Sequence, residues 1–234
     1  METSLHAIRF PGETEEYRIA RDGLLRAELD LRKQIEKVAE LRRALPAGGP
    51  LKEDYIFEQI DPDRPSSDEG KKVPLSALFR GGKDSLLIYS FMYGPEMQRP
   101  CTSCTSILDG LNGTIPHVLQ RVNFAVVAKS PIQRIQALAR ERGWNNLPFV
   151  SSVHNSFNAD YHGETADGKQ MPALNVFERR QGQIYHTYST ELLFAPTNAG
   201  QGPRHVDAIW PLWSLFDLTP EGRDAHWHPE LRYD

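Results

Sequence analysis

Two cysteines stand three residues apart, Cys101 and Cys104, with Thr102 and Ser103 between them, and the chain holds no others. A disulfide across so short a span closes only where the backbone curls, as it does in the first turn of a helix. The same place supplies chemistry, because the unpaired amides and the dipole at a helix N-terminus stabilise an anion and bring a thiolate within reach of neutral pH. Cys101 is the candidate nucleophile and Cys104 the resolving thiol. In that chemistry Cys101 attacks a substrate disulfide, a mixed disulfide forms, and Cys104 displaces the substrate to leave the internal bond. Pro100 precedes the pair, and Arg99 before it is a candidate to hold the anion and meet substrate. A secreted scaffold stapled by disulfides spreads its cysteines along the sequence, so an isolated pair reads as local redox or metal chemistry. A zinc site needs four suitable ligands, for which His154, His162 or His186 would have to join the cysteines. None of these has a paired ligand spacing with another, and neither a metal nor a cofactor is expected.

The elements that must position the pair are legible on either side of it. Ser85 to Met92 is almost continuously apolar, the pattern of a strand covered on both faces in a parallel sheet. After the cysteines, Ile107, Leu108, Leu111, Ile115, Val118 and Leu119 recur at helical spacing. Asn123 to Ala128 is a second buried strand, Ile132 to Gly143 an amphipathic helix ending on a glycine cap, and Pro148 to Ser152 a short strand or loop. Ala173 to Glu178 and Gln183 to Tyr188 flank the glycine-bearing turn Arg179-Arg180-Gln181-Gly182, which predicts an antiparallel hairpin. The fold class is therefore α/β, a mixed sheet flanked by helices. Val206 to Phe216 reads as a last covering helix with Pro211 in its first turn or kinking it, and Trp210 and Trp213, three apart, read as core.

Upstream, Leu24, Ala27, Leu31, Ile35, Val38, Leu41 and Leu45 predict one long helix from about Glu13 to Leu45, ended by Pro46-Ala47-Gly48-Gly49-Pro50. Its apolar stripe is expected to pack on the following domain, or to pair with its copy in a homodimer. Asp54 to Phe57 reads as a strand, Pro62 to Lys72 as polar loop, and Val73 to Phe79 as a short helical turn. The polar, aromatic stretch Asn155 to Gly163 reads as a turn-rich connection whose asparagines cap nearby backbone, with substrate contact as the alternative. The division expected is an N-terminal helical extension over residues 1–50, the α/β domain over 51–218, and a loose polar tail over 219–234, in which His226-Trp227-His228 is a solvated segment.

Leu86 to Leu119, and onward to Ser152, resembles the strand, cysteine motif and crossover of the thioredoxin and peroxiredoxin superfamily. Phe91-Met92-Tyr93-Gly94-Pro95, His186-Thr187-Tyr188-Ser189-Thr190 and Asp217-Leu218-Thr219-Pro220-Glu221-Gly222-Arg223 resemble a bacterial domain-of-unknown-function family with a thioredoxin-like fold, family eight-nine-nine. The resemblance implies a thioredoxin-like sheet and a proline opposite the cysteines. Pro172, in Met171-Pro172-Ala173-Leu174, is the candidate, and a cis bond there would offer the backbone of Met171 to a substrate peptide. The sequence departs from thioredoxin in having no carboxylate among Ile88, Tyr89, Ser90 and Phe91, which leaves Glu96, Asp109 or water as candidates for proton transfer. It departs from peroxiredoxins in that no threonine precedes Cys101 in their short motif, and the turn Gly94 to Arg99 is longer than the usual strand-to-cysteine turn.

Composition narrows the class. With 39% hydrophobic and 25% charged residues the chain can build a sizeable core, and a net charge of −4 gives no broad basic face for nucleic acid. The segment Met1 to Pro11 lacks a basic region followed by a long apolar run, and apolar stretches elsewhere fall short of the roughly 20 residues that span a bilayer. The expectation is a cytoplasmic protein with no membrane or nucleic-acid partner, acting as a thiol-disulfide oxidoreductase on a protein or small-molecule disulfide or thiol. A thiol peroxidase of peroxiredoxin type and a non-catalytic thioredoxin-like binding module are the alternatives.

Overall fold

The computed structural model describes residues 5–60, 70–224 and 226–232. The polar loop expected over Pro62 to Lys72 lies mostly outside the described residues, and its last two residues, Lys71 and Lys72, are strand rather than loop, paired with Gln59 and Glu58. The chain divides into two units, Met1–Pro46 and Ala47–Asp234.

The first unit is built on helix α1, Glu15–Arg43. Its N-terminus is set by Thr14, whose side chain accepts a hydrogen bond from the Tyr17 amide at 3.1 Å, and by Glu15 and Glu16 in the first turn, where negative charge meets the positive end of the helix dipole. Arg42 and Arg43 complement the other end. Arg18 is buried and pairs with Asp22 at 2.9 Å, one helical turn on. Along the helix, Leu31 and Ile35 are 59% and 60% exposed.

The second unit carries seven strands among the described residues: β1 (Ile56–Gln59), β2 (Lys71–Pro74), β3 (Ser85–Ser90), β4 (Asn123–Ala128), β5 (Phe149–Ser151), β6 (Leu174–Arg180) and β7 (Gln183–Ser189). They lie in one mixed sheet in the order β2-β1-β5-β4-β3-β6-β7. Helix α2 (Thr102–Val118) carries the chain from β3 to β4, which pair in parallel, and α3 (Ile132–Arg142) carries it from β4 to parallel β5. The short helices α4 (Phe157–Asp160) and α5 (Pro211–Phe216) lie before and after the β6–β7 hairpin. Antiparallel β6 flanks β3 and β7 flanks β6. The β4-β3-β6-β7 order, with a cysteine pair opening the helix that leaves β3, makes the fold thioredoxin-like.

Local chemistry accounts for these boundaries. Strands β3 and β4 are buried on both faces, which is why both read as unbroken apolar runs. On one face Tyr89, Phe124, Val126 and Ala128 meet Ile107, Leu108, Leu111 and Ile115 of α2 and Ile132 and Ile135 of α3. On the other, Leu86, Ile88, Ala125, Val127 and Phe177 meet Tyr55, Leu75 and Phe157. Gly143 closes α3 in the left-handed conformation, with φ 69°. The hairpin turn has both central residues, Gln181 and Gly182, at positive φ, the geometry that matches the twist of the flanking strands.

Two elements differ from the reading of the sequence. The segment Val73 to Phe79 splits into the end of β2 and a 3-10 turn at Leu75–Leu78, because Val73 pairs with Phe57 before Pro74 ends the ladder. The expected last helix breaks into a 3-10 turn at Asp207–Ile209 and α5, with Pro211 at the N-terminal position where its missing amide costs nothing.

Candidate active site

Strand β3 ends at Ser90, and the loop Phe91 to Pro100 turns back so that the Cys101 amide donates to the Met92 carbonyl at 3.1 Å. Cys101 is then the N-cap of α2, half-buried, with its own carbonyl held by the Thr105 amide at 3.0 Å and the Thr105 hydroxyl at 2.8 Å. Cys104, one turn in, is 2% exposed. Both are free thiols.

The two sulfurs are electrostatically unequal. The thiol of Cys101 is pushed down to about 6, chiefly by the hydrogen bond from the Cys104 thiol. The backbone amides of Cys104 and Ser103 and the charge of His228 act in the same sense, against a burial that pushes it up. Cys104 moves the other way, well above the ordinary thiol value, because its proton is held toward Cys101, because it is buried, and because a Cys101 thiolate repels a second anion.

Behind Cys104 lies a group the sequence reading passed over. Tyr89 of β3 is fully buried. Its hydroxyl makes no well-formed hydrogen bond, and the polar groups acting on it are the thiols of Cys104 and Cys101. Burial is the main reason its own pKa rises well above the phenol value, and in turn the hydroxyl pulls Cys104 down. The two carboxylates named as proton-transfer candidates are elsewhere: Glu96 is exposed in the loop, and Asp109 accepts from the Trp144 indole at 2.8 Å and pairs with Arg142. A buried tyrosine on the strand before the cysteines was the available signal, obscured because the apolar run around it reads as core.

Arg99 is exposed and is not among the main influences on Cys101; His228, from the segment expected to be a loose tail, takes that role. The tail is anchored by chemistry that a polar composition conceals. Arg223 pairs with Asp207 at 2.8 Å and with Asp217 at 2.7 Å, Arg204 joins the same two carboxylates, and the Trp227 ring stands edge-on to Trp213 with centroids 5.9 Å apart. The stretch Asp217 to Arg223 is thus a loop closed by its own terminal charges.

Pro172 stands two residues before β6 begins at Leu174, which pairs with Tyr89, so it lies at the end of β3 that leads to the cysteines. Its peptide bond is trans, since no described bond is cis, which corrects the expectation. Trans is the ordinary state of an X-Pro bond, and here the Met171 amide donates to Gly163 at 2.8 Å while the Ser90 amide reaches the Ala173 carbonyl at 2.8 Å. The Pro172 carbonyl accepts from His205 at 3.0 Å.

Among the described residues no group of three histidines, cysteines or carboxylates is placed to hold a metal ion. His154 faces Glu58 at 3.7 Å, His162 packs on Phe194, and His186 bonds Asn175 at 2.9 Å. The loop after β5 acts as expected of a connection: the Asn155 side chain accepts from the Phe157 amide at 3.0 Å, and Asn158 accepts from Ser152 at 2.7 Å. No described helix is long and apolar enough to cross a membrane.

A family model, Bacterial protein of unknown function (DUF899), matches residues 8–233. Among solved structures the chain is similar to peroxiredoxin Q of Xanthomonas campestris, with 14% identity over 70% of this chain and 93% of that one and a TM-score of 0.45. It is similar to thioredoxin peroxidase I of Plasmodium yoelii, with 16% identity over 79% and 100% and a TM-score of 0.45. It is also similar to the exposed lipoprotein thioredoxin Etrx1 of Streptococcus pneumoniae, with 11% identity over 68% and 100% and a TM-score of 0.41. No curated protein matches.

Proposed function

We propose that the chain, which belongs to the family Bacterial protein of unknown function (DUF899), is a thiol-disulfide oxidoreductase with Cys101 as nucleophile and Cys104 as resolving thiol. The observation that carries this reading is the asymmetry of the pair: a half-buried thiol at the N-cap of α2 held at about 6, beside a buried thiol pushed up. At pH 7 Cys101 is then mostly thiolate, while Cys104 keeps its proton until Cys101 is consumed in a mixed disulfide. Loss of the Cys101 charge removes both the repulsion and the acceptor that hold the Cys104 proton, so attack by Cys104 is released by the first step itself. Tyr89 acts as a positioning residue that steadies the Cys104 sulfur as it becomes an anion. The reading calls on no cofactor and takes a disulfide, of a protein or a small molecule, as substrate. It places the chemistry in the cytoplasm, where a lone pair of closely spaced cysteines suits redox turnover better than stapling.

The test is redox titration of the pair against glutathione together with alkylation of Cys101 across pH. A reversible Cys101–Cys104 disulfide and an alkylation midpoint near 6 are expected. An ordinary thiol midpoint with no reversible disulfide would favour the binding module. Fast hydrogen peroxide consumption that survives Cys104→Ser and is lost in Cys101→Ser would replace the reading with a peroxidase.

A further inference from the structure

A cleft of about 510 Å³ has walls that include Trp210, Trp213, Trp227, His205 and His228. Its size falls within the range of small-molecule sites. Its walls reach the helix that carries the thiols and hold the charge that acts on Cys101. His228 acts on the Cys101 thiolate, the Trp210 indole donates to Ser106, two residues past Cys104 on α2, at 3.2 Å, and His205 is bonded to the Pro172 carbonyl at 3.0 Å.

The chemistry of the lining selects among disulfides. Trp210 and Trp213 stand edge-on with centroids 5.4 Å apart, and Trp213 and Trp227 do the same, giving aromatic faces of the kind that take a flat apolar body. The two arginines on the cleft, Arg204 and Arg223, are already shared between Asp207 and Asp217, so they form a closed neutral set with no spare guanidinium for the carboxylates of a peptide such as glutathione. A carbonyl only accepts, so the His205 Nε2 that meets Pro172 carries the proton, and in the neutral ring Nδ1 is an acceptor. That Nδ1 is buried and has no partner. Burial pushes the pKa of the ring down.

We propose that this cleft is the substrate subsite of the thiol chemistry and takes a small, uncharged aromatic disulfide. The assignment rests on the oxidoreductase reading above. The Cys101 thiolate attacks one sulfur of R–S–S–R, forming the Cys101–S–S–R bond and expelling R–S⁻. Cys104 then attacks the Cys101 sulfur, forming the internal disulfide and expelling the second R–S⁻, which takes the Cys104 proton. The protein dithiol is oxidised by two electrons and the substrate disulfide reduced by two.

The probe is bis(2-aminophenyl) disulfide, with glutathione disulfide as the charged comparison. Three of the chain's four tryptophans line the cleft, so intrinsic fluorescence reports occupancy without thiol chemistry. In the double variant Cys101→Ser, Cys104→Ser, the aromatic probe should quench fluorescence saturably, with at least tenfold weaker binding in Trp213→Ala or in the more exposed Trp227→Ala. In the reduced protein its oxidation rate should saturate with concentration, while the rate with glutathione disulfide stays linear. Glutathione disulfide saturating as well as the aromatic probe would overturn the assignment. So would a reactive Cys101, established by iodoacetamide, with no saturable quenching. Saturable quenching beside an unreactive Cys101 would uphold the cleft and sink the oxidoreductase reading, so the two fail separately.

Discussion

Replacing Cys104 by alanine separates the causes that hold the Cys101 thiolate. Its largest single support is the hydrogen bond from Cys104, ahead of the two backbone amides and of His228. A hydrogen bond to a charged group is worth about 1.5–3 kcal/mol net, and one pKa unit corresponds to about 1.4 kcal/mol. Cys104→Ala should therefore lift the Cys101 midpoint from about 6 to about 7–8. His228 is exposed and acts only through charge, so His228→Ala should lift it by about a few tenths of a unit, an effect that shrinks with added salt. The assay is the rate of iodoacetamide alkylation from pH 4.5 to 10, read as a midpoint. The rate at pH 7 alone misleads, because a thiolate of higher pKa is scarcer but more nucleophilic. For a shift of about 1.5 units, the thiolate at pH 7 falls roughly fourfold while the reactivity of each thiolate rises roughly fivefold. The alanine variant should thus show a higher midpoint, a higher plateau and an almost unchanged rate at neutrality. A wild-type midpoint near the ordinary thiol value, or a larger shift in His228→Ala than in Cys104→Ala, would refute the reasoning.

Tyr89→Phe removes a hydroxyl without opening a cavity. In single turnover with 5,5′-dithiobis(2-nitrobenzoate) the first release of thionitrobenzoate should keep its rate and the second slow roughly tenfold, as expected for the loss of a donor to a developing thiolate; equal rates for both phases would remove Tyr89 from the mechanism. Arg223→Met breaks the clasp on Asp207 and Asp217 and should both expose the C-terminal segment to trypsin or chymotrypsin and reproduce the small midpoint shift of His228→Ala. Intact resistance to proteolysis would show that the rings alone hold the segment. Phe157→Ala empties a fully buried site among Tyr55, Phe57, Tyr161 and Phe177 and should cost about 3–5 kcal/mol in urea unfolding at unchanged slope. A loss below about 1 kcal/mol would mean that the site collapses around the cavity. Pairing of α1 with its copy through Leu24, Leu31 and Val38, seven residues apart, predicts a dimer by sedimentation that Leu31→Lys converts to monomer; a monomeric wild type excludes it.

What could be read from the chain was whatever depends on neighbours in sequence. Periodicity gave β3, β4, α2, α3 and the β6–β7 hairpin, since burial of both strand faces or of one helical stripe is written residue by residue. The spacing of Cys101 and Cys104, and their place between a strand and a helix, carried the candidate site for the same reason. Only the folded chain could decide what reaches that site from far along the sequence. Tyr89 looks like core until its hydroxyl is seen to face a sulfur, and His228 looks like tail until Arg223 and Trp227 pin its segment down. The His205 tautomer follows from a carbonyl 33 residues away. Short-range pattern records which faces must be buried; electrostatic partnership and clefts arise where distant segments meet, and no local pattern encodes those meetings.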